Sequence, residues 1–89
     1  MEFEWSPGKR DKTLVERGVD FSAVLVGFSD PDRKIAKDLR REYGEERFNM
    51  LASCDGRIYH VTFTMRDAVT RIISARKANQ RERRRYEQG

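Results

Sequence analysis

Three titratable side chains stand beside the arginines of this chain in a way that suits proton transfer: His60, Glu82 and Tyr86. Glu82 and Tyr86 are four residues apart, so a helix there projects both from one face. His60 has an intrinsic pKa matched to acid–base work near neutrality. Arg47, Arg76, Lys77 and Arg81 supply fixed positive charge. These residue types suit metal-free RNA cleavage, in which the 2′-hydroxyl is the nucleophile. The protein then needs to supply positioning, a proton acceptor, a proton donor and positive charge for the developing phosphorane. The candidate catalytic residues are therefore Arg47, Arg76, Glu82, Tyr86 and His60. Each has a structural reading beside it: His60 as a packing or solvent-facing strand residue, Glu82 as a helix-capping acid and ion-pair partner of Arg81 or Arg85. Tyr86 is the one aromatic in a basic setting, which makes it a candidate for base stacking as well.

Charge distribution points the same way. From Arg71 to Tyr86 there are seven Lys or Arg against one acid, a net +6, while the whole chain carries +4. The remainder therefore sums to −2, and the basic charge is concentrated at one end, as a polyanion or an acidic partner would require. Arginine dominates that stretch, and its planar fork binds phosphate and carboxylate where lysine offers a point charge. Lys77, Arg81, Arg83, Arg84 and Arg85 are the candidate RNA-binding residues in it. The competing reading is a solvated helix face.

Several chemistries lack their residues. One His and one Cys give no metal-ligand cluster, the six glycines are dispersed rather than gathered in a phosphate loop, and no serine sits in a nucleophile elbow. No metal and no cofactor are expected. Cys54 excludes an internal disulfide, fits a reducing compartment, and is expected as a small buried strand residue. The N-terminus lacks a signal-peptide pattern and no apolar run is long enough to span a membrane, so a soluble cytoplasmic protein is expected.

The elements that must position these residues follow from the pattern. Eighty-nine residues, 37% apolar and 38% charged, make one small domain over 1–89 with a limited core. Glu2–Trp5 alternates as a strand. Ser6-Pro7 opens a helix that Gly18 ends, and Asp20 opens a second, short helix with Phe21, Val24, Leu25 and Phe28 on one face. Residues 32–43 fit helix by propensity and strand by the Ile35, Lys37, Leu39 alternation. From Phe48 the alternation is strand-like, Asp55-Gly56 is a hairpin turn, and Tyr59, Val61, Phe63 and Met65 face away from His60, Thr62, Thr64 and Arg66. Val69–Arg76 is a further strand. Asn79 and Glu82 form a capping box that opens the last helix. The expected fold is α+β: a small antiparallel sheet of about four strands with two N-terminal helices and one C-terminal helix.

The blocks Phe3-Glu4-Trp5-Ser6-Pro7-Gly8-Lys9, Gly18-Val19-Asp20-Phe21, Glu46-Arg47-Phe48 and Arg71-Ile-Ile-Ser-Ala-Arg76-Lys77-Ala with Glu82-Arg83 and Tyr86 resemble the BrnT family. These are the toxins of BrnT/BrnA type II toxin–antitoxin systems, and the resemblance covers nearly the whole chain. It implies a RelE-like ribonuclease fold and an RNA endonuclease that arrests translation. It also implies a BrnA-like antitoxin with a ribbon-helix-helix part, through which the complex reaches operator DNA. The family's basic and polar positions carry over as Lys9, Arg47, Arg76, Glu82 and Tyr86, with Lys9 a further RNA-binding candidate. The chain departs from the family pattern at Ser6 (usually Asp), Thr13 (usually Asn), Glu16-Arg17 (usually Lys-His) and Ala52 (usually Gly). By analogy with relatives, 32–43 is expected to hold a strand.

Two classes of function stay open on the residues alone: a toxin ribonuclease, and a non-catalytic RNA- or protein-binding module of the same fold. A DNA-binding protein in its own right fits less well, because no turn and preceding helix present the last helix to a major groove.

Overall fold

The computed structural model describes residues 1–40 and 42–89. Its centre is a meander of three long strands, β3 (Phe48–Cys54), β4 (Arg57–Arg66) and β5 (Val69–Lys77). Asp55-Gly56 closes the first hairpin with both residues at positive φ, 51° and 83°, the requirement of a two-residue turn that matches strand twist. β2 (Lys34–Lys37) pairs antiparallel with β3, and β1 (Glu2–Trp5) pairs parallel with β5. The sheet is thus five-stranded and mixed, in the order β1-β5-β4-β3-β2, rather than about four antiparallel strands. Sequence alternation identifies β1 as a strand but carries no information about its direction of pairing. In residues 32–43 the strand is only four residues long, and Arg41 of that segment lies outside the described residues.

One face of the sheet is the core. Met50, Ala52, Cys54, Val61, Phe63, Ile72 and Ala75 meet Phe21 and Val24 of a 3₁₀ helix, Phe21–Ser29. At three residues per turn, Phe21, Val24 and Gly27 fall in one buried row. A Cβ at Gly27 would lie 2.9 Å from both the Ala52 Cβ and the Cys54 Sγ, so only glycine permits this approach to β3. Phe3, Phe28, Phe63 and Phe48 extend the core as a chain of ring contacts at 5.1–5.5 Å. Met65, expected on the apolar face, is 46% exposed near the end of β4.

Helix α1 (Pro7–Arg17) ends at Gly18 in the left-handed conformation, as expected; Ser6 occupies the N-cap position but makes no side-chain cap bond. The Arg10–Asp20 ion pair at 2.7 Å ties the helix to the start of the 3₁₀ helix. Helix α2 (Gln80–Glu87) begins with the expected capping box of Asn79 and Glu82.

β5 carries the irregularity that matters most. Thr62 pairs with Ser74 and Phe63 with Ile72, which leaves Ile73 unpaired as a bulge. With Ile72 in the core, strict alternation would send Arg76 to the core face as well. The extra residue reverses the parity, so Ala75 enters the core and Arg76 emerges on the opposite face.

Candidate active site on the polar sheet face

The face opposite the core is a grid with two rows across four strands. One row runs Lys34, Leu51, His60, Arg76; the next runs Ala36, Asn49, Thr62, Ser74. Two cavities open over it and His60 borders both. The first, about 210 Å³, lies over β4 and β5 and brings Arg76, Arg40 and Arg17 around His60, with Thr62 and Ser74 also lining it. The second, about 170 Å³, lies over β2 and β3 between Ile35, Leu51, Asn49 and Arg85 of α2.

Arg76 is held in a bidentate pair with Glu82, at 2.7 and 2.9 Å. Glu82 also accepts the Asn79 backbone N–H at 3.0 Å. The Arg76 hydrogen bonds outweigh the cost of partial burial and hold the Glu82 carboxyl down at about 2, so it is ionised near neutrality. Glu82 thus pairs with Arg76 on β5 rather than with Arg81 or Arg85 on its own helix.

Burial, and then the charge of Arg76, lower the His60 pKa below its ordinary 6.5. Glu82 acts in the opposite direction, and Arg40 adds to the lowering. The imidazole is therefore neutral at pH 7 and able to accept a proton. Arg40 is fixed by a fork to the buried Asp38 carboxylate, at 2.9 and 2.8 Å, which also accepts the Tyr43 hydroxyl. The result is a neutral base inside a fixed cationic rim.

Larger hollows, of about 480 and 470 Å³, lie elsewhere. The first is lined by Asp38, Glu42, Glu45 and Glu46 against Lys37 and Arg47, an excess of acid that repels a polyanion. The second gathers Arg57, Lys77 and Arg83 around Ile58, with Glu87 as its one acid, and offers positive charge without a proton-transfer group. Among the described residues no three His, Cys, Asp or Glu side chains cluster as metal ligands, and no helix is long and apolar enough to cross a membrane.

The polar face can therefore bind a phosphate on its guanidiniums and take a proton on its imidazole. The family model for the ribonuclease toxin BrnT of type II toxin–antitoxin systems matches residues 5–82. The chain belongs to the BrnT family. Membership brings with it an RNA substrate and an antitoxin partner. No curated protein matches the chain.

Against that membership, the residues singled out from sequence fall into three groups. Arg76, Glu82 and His60 come together on the polar face. Tyr86 does not join them: its hydroxyl donates to Asp30 Oδ2 at 2.6 Å, on a carboxylate that also accepts the Ser53 backbone N–H at 2.8 Å. Burial works to raise the Asp30 carboxyl, yet the bonds from Ser53, Tyr86 and Asp32 keep it below its ordinary value. The Asp30 partnership pushes the Tyr86 phenol up to about 12. Arg47 sits near the other end of β3, over the Tyr43 ring at 4.3 Å and 3.4 Å from Glu45. Of the RNA-binding candidates, Arg85 borders the second cavity and Lys77 and Arg83 the separate basic hollow, while Lys9, Arg81 and Arg84 are exposed.

Arg40, Ser74 and Asn49 were not identified from sequence. Counting in twos from His60 finds Thr62, but Ser74 and Arg76 join it only once the Ile73 bulge is known. Thr13 and Arg17 of α1 also border the first cavity.

Proposed function

We propose that this BrnT-family ribonuclease toxin is a metal-independent RNA endonuclease whose reaction centre is the His60–Arg76 cavity. The observation that carries the reading is a neutral imidazole directly across the β4–β5 ladder from a guanidinium held in place by Glu82. Arg76, with Arg17 and Arg40, binds the scissile phosphate and stabilises the charge that develops on it. His60 takes the proton of the 2′-hydroxyl, O2′ bonds to phosphorus, and the P–O5′ bond breaks. The leaving O5′ takes a proton from water in the open cavity and His60 releases its proton to solvent. The products are a 2′,3′-cyclic phosphate and a 5′-hydroxyl.

Glu82, already ionised, fixes Arg76 and does not donate the proton. Tyr86, bound to Asp30, anchors α2 against β3. Lys9, Arg47, Lys77, Arg81, Arg83, Arg84 and Arg85 extend the cationic surface along which the RNA backbone runs. Residues 1–89 act as one domain in the cytoplasm, with the RelE-like character that the resemblance implies. Cutting the RNA arrests translation. A BrnA-like antitoxin neutralises the toxin, and its ribbon-helix-helix part carries the pair to operator DNA. Acidic groups laid over the Arg-rich face would mask charge and block RNA together.

A second reading, RNA binding without cleavage, is favoured by the saturation of Arg76 by Glu82, which leaves a phosphate to compete for it. End-group analysis separates the two. The ribonuclease reading requires cyclic phosphate ends, and no cut at a single 2′-deoxy position placed at the scissile step. Bound but intact RNA would favour the second reading.

A further inference from the structure

The two cavities that share His60 differ in chemistry. The first is ringed by arginines. The second has Leu51 and Ile35 as its apolar surfaces and Asn49 as its neutral hydrogen-bonding group, with Lys34 and Arg85 at the margin. Leu51 is 5% exposed and belongs to the same row as His60 and Arg76, so the two cavities are neighbours across one β4 strand. Adjacent strands lie about 4.8 Å apart. A ligand that places a phosphate among the arginines therefore has its attached flat ring within reach of the second cavity. At about 170 Å³, that cavity is smaller than the ~300 Å³ at which whole drug-sized ligands begin to fit, and it suits one ring system.

Asn49 makes this more than an apolar recess. The Thr62 hydroxyl donates to Asn49 Oδ1 at 2.8 Å. With Oδ1 held, the arm left for a ligand is the Nδ2 donor, which has no hydrogen-bond partner among the described residues. Thr62 lines the first cavity and Asn49 the second, so a single hydrogen bond couples the orientation of one to the wall of the other.

We infer that the second cavity is a nucleobase subsite next to the scissile phosphate, and that Asn49 reads the base in it as a donor, selecting bases that present a carbonyl oxygen. At pyrimidine C4 or purine C6 those are uracil and guanine, whereas cytosine and adenine present an amino group there. Leu51 and the neighbouring His60 ring form the floor on which the base lies. The inference rests on the ribonuclease reading of the His60–Arg76 cavity.

The test is cleavage of an RNA pool randomised around the cut, with both new ends sequenced. The wild type is expected to show enrichment of uracil or guanine at one position adjacent to the cut. Asn49→Asp keeps an acceptor for the Thr62 hydroxyl but replaces the Nδ2 donor by an acceptor. It is expected to shift the ratio of keto to amino bases at that position by about tenfold or more, since one mismatched base-edge contact is worth about that much. Thr62→Val, which frees the amide to turn over, is expected to flatten the preference. Thermal unfolding of each variant establishes that it is folded before its profile is read. The same base profile at every flanking position in wild type and folded Asn49→Asp would overturn the inference while leaving the ribonuclease reading intact. If nothing is cut, the ribonuclease reading fails and the subsite is tested by binding. The ratio of affinities for oligo(U) and oligo(C) should then fall in Asn49→Asp, and an unchanged ratio overturns the subsite.

Discussion

Replacing Glu82 by Gln removes one charge from a pair that joins α2 to β5, and the structure sets the size of the effect. The Glu82 side chain is 13% exposed and accepts two bonds from Arg76, itself 35% exposed. The carboxyl falls from an ordinary 4.5 to about 2, a gap worth roughly 3 kcal/mol at 1.36 kcal/mol per pH unit. Solvent at Arg76 screens the pair, so about half of that is expected as stability, about 1–2 kcal/mol. Gln keeps the shape and still accepts from the Asn79 N–H, so the capping box is not what is lost. The folded-state pKa lies below the unfolded one. The contribution is therefore complete above about pH 4.5 and disappears as pH falls toward about 2. Urea unfolding of wild type and Glu82→Gln between pH 7 and pH 2.5 measures it, and the other depressed carboxylates, Asp20, Asp30 and Asp38, cancel in the difference. For a domain of this size, 1–2 kcal/mol corresponds to a loss of about 5–10 °C in Tm near neutral pH. A difference that is flat from pH 7 to pH 3 would refute the reasoning, because an ion pair that sets the Glu82 pKa must titrate with it.

Three further outcomes follow from the same geometry. Gly27→Ala should cost about 1–3 kcal/mol by forcing a methyl against Ala52 and Cys54, and Gly27→Ala with Ala52→Gly should recover part of it; additive denaturation midpoints would contradict the close approach. Deleting Ile73 removes the unpaired residue and joins Ile72 to Ser74 in a regular ladder, with Ala75 still on the core face and Arg76 still on the polar face, so RNA cleavage should stay within about tenfold of wild type, as it should in Ile73→Ala. A fall of about 10² or more in a folded deletion variant would contradict this register. The pH–rate profile of kcat/KM should rise through a pKa below 6.5 and level off above it, because His60 acts in its neutral form. His60→Gln should abolish that limb, and an unchanged limb would assign the base elsewhere.

Local signals in the sequence were sufficient for features that local chemistry decides. Gly18 ends α1 because a left-handed residue is needed there, Asp55-Gly56 makes the hairpin because both positions need positive φ, and Asn79 with Glu82 caps α2. Features decided by pairing were not legible. The Ile72-Ile73 doublet satisfies an apolar pattern in either register, so nothing local reveals that one of the two is unpaired and that Arg76 changes face as a result. Lys34–Lys37 is a strand because β3 accepts it, not because its own residues favour one. Glu82 was equally able by spacing to reach Arg81 or Arg85, and its bond to Arg76 depends on where β5 delivers that guanidinium. The candidate site was accordingly half visible: His60, Arg76 and Glu82 by residue type, and Arg40, Asn49 and Ser74 only through the sheet.

The central claim is that the polar sheet face cuts RNA through its own side chains. Purified protein incubated with RNA in excess EDTA, without ribosomes and beside Arg76→Ala, tests it most directly. Cleavage should survive chelation and fall by at least 10² in the variant. Intact RNA with folded wild-type protein, or equal cleavage by Arg76→Ala, would contradict it.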